Sequence, residues 1–322
     1  MHVAQINGKP VRLHLDEGIA DLSGAVSIGE RLLLGNDEGR RLLVCEPGEE
    51  GESWRQVGSL ALGKRGHEAD IEALTYADGY LYALGSHSLR RKSLKPDELS
   101  VADNRKRFAR IDGQKSRNRL YRIPFDADTG KAGEPESIKL NKRLRKDAFL
   151  APFTQIPGKE NGVDIEGLAL HRGRLFLGFR GPVLRHNMVP VMVLDFEHPK
   201  RYQLRFVELR GHGIRDMVSL GDSLLLLTGP VGDAPGPFRL WWWDGKDQLP
   251  GTDRTITPAI RLGNIGVPPG GKAEGLAVLE ARADEVELLL VIDGVAQQRA
   301  LQLSLTIPPR DTAARDPAEG IL

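Results

Sequence analysis

A short phrase recurs along the chain at the threshold of successive apolar runs. Asp70-Ile71-Glu72-Ala73-Leu74 returns as Asp164-Ile165-Glu166-Gly167-Leu168 and, worn down, as Lys272-Ala273-Glu274-Gly275-Leu276. Weaker echoes stand at Asp21-Leu22-Ser23-Gly24-Ala25 and Asp216-Met217-Val218-Ser219-Leu220. Each is followed by a polar turn and a strand-like run, over 31–35, 80–85, 174–178, 223–228 and 287–293. A unit repeated in this way cannot bury its own apolar face and must stack on its neighbours. The starts at 21, 70, 164, 216 and 272 are separated by 49, 94, 52 and 56 residues. Three intervals lie near the ~40–50 residues of a four-stranded propeller blade. The expected fold is therefore all-β: a single β-propeller over 1–307. Five blades are preferred and six are the alternative, because the long interval holds either a second blade or insertions.

The insertion reading places a basic, partly helical segment in the second blade at about 90–117, and another at 141–162. Lys95-Pro96-Asp97-Glu98 reads as a helix start, with Pro in the first turn and acids beside the positive end of the helix dipole. Strand patterns resume at 119–123 and 137–140. Residues 164–210 hold four strand candidates, at 167–170, 174–179, 191–196 and 202–209, the last with strict alternation. Trp241-Trp242-Trp243 sits in a third strand and is assigned to packing between blades. The last repeat lacks an outer strand, which 3–6 or 11–15 is expected to supply, closing the ring and removing an open edge. The segment 308–322 is Pro-, Ala- and charge-rich and expected to be unstructured.

Composition narrows the function classes. The chain has 322 residues, 40% hydrophobic and 28% charged. Cys45 is its only cysteine, which excludes an intrachain disulfide and a Cys-based metal cluster. No signal peptide and no apolar run of spanning length is visible, so a cytoplasmic protein without membrane contact is expected. From 90 to 146 there are 18 Lys/Arg against 8 Asp/Glu, although the whole chain carries only +1. That asymmetry points one sector at an anion. The aromatics there, Phe108, Tyr121 and Phe125, are too sparse for a single-strand stacking surface, so nucleic acid is the less favoured partner.

In a propeller, residues just before each innermost strand and just after the second strand meet at one mouth of the channel. The first set brings Asp70, Glu72, Asp164, Glu166, Asp216 and Glu274 there; the second brings His87, Arg90, Arg180, Arg185 and Asp293. The approaches add Lys64, His67, His212, Arg215 and Lys272. Clustered carboxylates repel and need protons, arginines or a divalent cation. Glu72, Asp164, Glu166 and Glu274 are the expected metal ligands, with calcium preferred for its many oxygen ligands. Arg90, Arg180, Arg185, Arg215, Lys272, His67 and His212 are expected to bind a small anion. His87, between two serines, is the expected proton carrier, with Asp70 and Asp216 beside it. For any single acid, capping a turn is the simpler account; the repetition of Glu at equivalent places favours function. The resulting expectation is a metal-assisted hydrolase of an anionic ester. A non-catalytic binding propeller is the alternative, and a glycosidase is a weaker one given the abundance of arginine.

Several phrases resemble the bacterial domain of unknown function 3616. They are Gly85-Ser86-His87-Ser88, the run Pro157-Gly158-Lys159-Glu160-Asn161-Gly162-Val163-Asp164-Ile165-Glu166-Gly167-Leu168, and Leu177-Gly178-Phe179-Arg180-Gly181-Pro182-Val183-Leu184-Arg185. Gly211-His212-Gly213-Ile214-Arg215-Asp216 and Lys272-Ala273-Glu274-Gly275-Leu276 complete the set. The resemblance covers nearly the whole chain and implies a propeller without an activity. The Asp-x-Glu-Gly-Leu phrase alone is similar to esterase-like phytase-type propellers, which implies calcium and phosphoester hydrolysis.

Overall fold

The computed structural model describes residues 4–19, 21–36, 39–48, 53–62, 69–295 and 299–308. The fold is all-β and propeller-type. Inner strands run at Leu22–Ile28, Ile71–Ala77, Asp164–His171, Gly213–Leu220 and Lys272–Ala281. Each pairs antiparallel with the strand that follows it through a tight turn. The inner strands also pack on one another in cyclic order, the last against the first. Alternating side chains fill the wedges between sheets. One wedge, between the Asp164 and Gly213 sheets, buries Phe179, Ile214, Met217, Trp241 and Trp243. Trp242 packs on the opposite core, so the Trp run serves both faces of its sheet.

Closure comes from Lys9–His14. Its first half pairs antiparallel with Ala300–Thr306, through Lys9 with Gln302 and Val11 with Ala300. Its second half pairs parallel with Ser53–Ala61, through Arg12 with Ser53. One strand thereby joins the first and last sheets into an eight-stranded surface. The other candidate, Gln5–Ile6, pairs with Ile260–Ile265 instead and extends that sheet.

Between Ile71 and Val163 the described residues form one four-stranded sheet and a small two-stranded one, Arg90–Arg91 with Ile111–Asp112. The rest of the interval is insertion. Its helix spans Val101–Phe108, later than the Lys95-Pro96-Asp97-Glu98 phrase had indicated. Ser100 decides this: its side chain accepts from Asp103 N (3.1 Å), while Lys95 is held in the preceding turn by Asn104 Oδ1 (2.8 Å). The second insertion holds a four-residue helix, Asn141–Leu144, and two short 3-10 turns. Among the described residues no helix is long and apolar enough to cross a membrane. The segment 309–322, Lys64 and His67 lie outside the described residues.

Candidate functional site

The recurring phrase has a structural cause. Every inner strand slips register near its start, between Leu22 and Gly24, Ile71 and Ala73, Ile165 and Gly167, Ile214 and Asp216, and Ala273 and Gly275; two of them slip a second time, at Asp164/Ile165 and Val278/Glu280. A bulge leaves the extra residue out of the ladder and re-aims its side chain. The bulged residues are Ser23, Glu72, Glu166, Arg215 and Glu274. Glycine follows three of them because the inner strands nearly touch. A Cβ on Gly275 would sit 3.0 Å from Gly24 Cα, and one on Gly24 would sit 3.1 Å from Ala73 Cα.

This register corrects the fourth echo. Arg215, not Val218, occupies the place held by Glu in three other strands, and Asp216, aligned in the phrase with Asp70 and Asp164, takes the place of the glycine. Asp216 is fully buried in the wall. Its Oδ1 accepts from Met217 N and its Oδ2 from Leu276 N, each at 2.7 Å, and the Leu168 amide adds a third bond. The carboxyl staples three adjacent inner strands, which gives it no free oxygen for the proton-transfer role expected of it. Burial raises its pKa well above the ordinary value against the pull of those amides. Asp216→Ala leaves these amides without an acceptor, with an expected loss of roughly 3 kcal/mol in urea unfolding.

Around the bulges lies a buried ion-pair network. Arg180 Nη1 donates to Glu166 Oε1 (2.7 Å), and Arg215 Nη1 stands 3.4 Å from Glu166 Oε2. Arg215 Nη1 also donates to Glu274 Oε2. Burial opposes charge on Arg180, but Glu166, Asp164 and Glu274 together raise its pKa. Burial raises Glu274, with Arg215 opposing. Asp70, at 3% exposure, accepts from Ser86 Oγ and pairs with Arg117 Nη1 at 3.2 Å. Its pKa is raised by burial, with Arg117, Ser86 and Arg90 pulling the other way. Asp164, also buried, is raised to about 8 by burial first and by Glu166 next.

The expected metal ligands are therefore faced by guanidiniums. Glu166 and Glu274 share Arg215, and Asp164 is held protonated at neutral pH. Among the described residues no group of three or more His, Cys, Asp or Glu side chains is placed to hold a metal ion. Glu72 is half-buried in its bulge. The expected anion binders divide. Arg180 and Arg215 belong to the network, and exposed Arg90 reaches Asp70 only through its field. Arg185 is exposed on its 3-10 turn, and exposed Lys272 pairs with Asp293 (3.5 Å). His212 points instead toward Thr228, 3.4 Å from its Oγ1.

A cavity of about 230 Å³ lies among residues of the two insertions and His87. His87 lines it, with Lys115, Asn118, Asn141, Arg145 and Thr154 among the polar walls and Leu144, Ile156 and Val163 among the apolar ones. His87 is 6% exposed and sits at φ 57°, which turns its ring back onto its own chain. Nδ1 lies 2.6 Å from the Gly85 carbonyl, a contact that requires the proton on Nδ1. Nε2 is then a bare acceptor, buried and without a hydrogen-bond partner. Burial lowers the His87 pKa to about 4. The Ile165 amide donates to the Ser86 carbonyl (2.9 Å), so His87 and Asp164 flank one backbone hydrogen bond. Sequence reading missed Arg117, Lys115 and Arg145, which were part of an undifferentiated basic run; only their place in an insertion beside the mouth singled them out.

The family described as "Protein of unknown function (DUF3616)" matches residues 21–307. The chain belongs to that family. No curated protein matches it by sequence. DUF3616 is represented here by a fold similar to several solved structures. Glutaminyl cyclase from Myxococcus xanthus aligns at 11% identity and TM-score 0.47, covering 95% of this chain and 100% of that one. A GH43 endo-arabinanase from Bacillus licheniformis aligns at 12% identity and TM-score 0.45, covering 92% and 97%. An exo-beta-1,3-galactanase from Phanerochaete chrysosporium aligns at 7% identity and TM-score 0.48, covering 94% and 64%.

Proposed function

We propose that this DUF3616 protein is a five-bladed propeller that hydrolyses an ester of a small organic anion in the His87 cavity. The observation that carries the reading is His87 Nε2, a buried ring nitrogen without a hydrogen-bond partner at the wall of the cavity. At pH 7 burial keeps this imidazole neutral, whereas a free one would be about a quarter protonated. A neutral imidazole with an unengaged nitrogen can serve as a general base. His87 Nε2 would take the proton of an attacking water and return it to the departing alcohol. Lys115 and Arg145 would hold the anion, and the apolar wall its hydrocarbon part. The cavity is smaller than the ~300–1,000 Å³ of drug-sized sites, which limits the ligand to a small molecule.

The test is a panel of carboxylate- and phosphate-bearing esters and lactones, assayed with and without calcium, magnesium and manganese. His87→Asn retains a donor for the Gly85 carbonyl but removes the Nε2 acceptor. It is expected to lower kcat/KM by ~10²–10⁴. Turnover is expected to be independent of added metal, since the carboxylates are occupied by arginine. No turnover above the His87→Asn background on any member ends the enzyme reading. One observation favours a binding protein instead: a backbone carbonyl, not a carboxylate, orients His87, leaving a weak base. Calorimetric binding of panel members that His87→Asn abolishes, with no turnover, would select that alternative.

A further inference from the structure

On the flank between the Asp164 and Gly213 sheets, positive charge gathers, and among the described residues no carboxylate forms an ion pair with it. Arg239 stands across from Thr228 on one neighbouring strand and Asn264 on the other. Arg261 stands across from Trp241, two residues along from Arg239. Arg239 Nε and Nη1 and Arg261 Nε are buried and lack hydrogen-bond partners. Arg261 Nη2 donates to Asn264 Oδ1 at 2.5 Å. Burial, then Arg261 and Arg210, lower the Arg239 pKa. His212 is 9% exposed and also feels Arg239 and Arg261, which with burial lower it to about 4 and keep it neutral. Glu208 is the acid nearest in the chain, and its Oε1 is turned to the Arg210 backbone amide (2.8 Å).

Such an arrangement is costly unless an anion completes it. Like charges a few ångströms apart repel, and a guanidinium N–H removed from water forfeits its hydration. Guanidinium forks match the oxygens of a tetrahedral oxyanion, which accepts several such donors at once. Arg239 and Arg261 are each half-buried and Arg210 is exposed, so the cluster is open to solvent. We propose that Arg239, Arg261 and Arg210 form an oxyanion site for a phosphate group, with neutral His212 and Thr228 behind it. The site is on a different sheet from His87 and stands whether or not the cavity is catalytic.

The probe is inorganic phosphate, titrated calorimetrically into the full chain in a chloride buffer, with acetate and a nucleoside monophosphate as further arms. Saturable binding of phosphate, stronger than that of acetate, is expected. Arg239→Gln and Arg261→Gln should each weaken it at least tenfold, and Arg210→Gln by less. Tighter binding of the nucleoside monophosphate than of phosphate would place the phosphoryl group on a larger ligand; equal binding would indicate the free ion. Thermal unfolding gives a readout that a structural role would not move. In phosphate-free buffer Arg239→Gln should melt no lower than the parent, because it relieves repulsion. In phosphate the parent alone should gain stability. Heats that never saturate, binding unchanged in Arg239→Gln, or a lower melting point of that variant in both buffers would each overturn the site. Should Arg239→Gln fail to fold, unchanged phosphate binding in Arg210→Gln would do so as well.

Discussion

Arg215→Met is expected to lower unfolding free energy by about 3–5 kcal/mol at pH 7, the range for removing one partner of a buried ion pair. Arg215 is the cation shared by Glu166 and Glu274, and its residue exposure is only 4%. Removing it leaves Glu274 facing Glu166 in the interior, with Arg180 as the remaining counter-charge to both. Methionine fills much of the volume, so the loss is electrostatic rather than a cavity effect. Two controls separate these causes. The deficit should shrink when urea unfolding is repeated near pH 5, where Glu274, whose pKa burial raises, can take a proton. Adding Glu274→Gln to Arg215→Met should recover part of the lost stability, because the uncompensated charge is then absent. A loss below about 1 kcal/mol would mean that water reaches the pair and screens it as on a surface.

The second large effect concerns pH. Asp164 ionises near its ordinary 3.8 when unfolded but at about 8 when folded. Native protein therefore retains a proton that the unfolded chain releases, so this group's contribution falls as pH rises from about 4 to about 8. Each pH unit is worth about 1.4 kcal/mol, which sets a ceiling of roughly 6 kcal/mol. Coupling to Asp70 and Glu166 shares the proton and brings the expectation to about 2–5 kcal/mol. Asp164→Asn should unfold less readily than the parent at pH 8.5 and show little advantage at pH 5. His87 and His212 act oppositely. Each is lowered from 6.5 to about 4, so the unfolded chain binds protons that the native state refuses as pH falls through that window. His87→Asn should accordingly flatten the acid side of the profile and leave the alkaline side unchanged. Parallel pH profiles for the parent and Asp164→Asn would show that the carboxyl is ionised in the native protein.

Much of this architecture was legible in residues. The alternation of Tyr202-Gln203-Leu204-Arg205-Phe206-Val207 and the recurring Glu-Gly pair gave strands and periodicity, because both report directly on which face is buried. Lys9–His14 was foreseeable, since a missing outer strand leaves an edge that something must cover. The register of the fourth repeat was not. An Asp in a phrase looks like every other Asp, yet Asp216 serves backbone amides while Arg215 occupies the bulge. Charge identity follows the bulge, and a bulge has no signature in a single sequence. The same limit applies to the carboxylates: a list of acids pointed to calcium, but the arginines neutralising them come from the next strand (Arg180), another sheet (Arg215) and an insertion (Arg117). Arg117 could be placed against Asp70 only once the chain between them had folded back.

The strand that pairs Lys9 with Gln302 also sets an order of assembly. During synthesis the Lys9–Val11 half must wait, its edge unsatisfied, until Ala300–Thr306 has left the ribosome, although Arg12–His14 can pair with Ser53–Ala61 much sooner. Long waits of this kind slow folding and expose strand edges to other molecules. Chaperone dependence in cells should therefore track the fate of that N-terminal strand more closely than the stability of any central sheet.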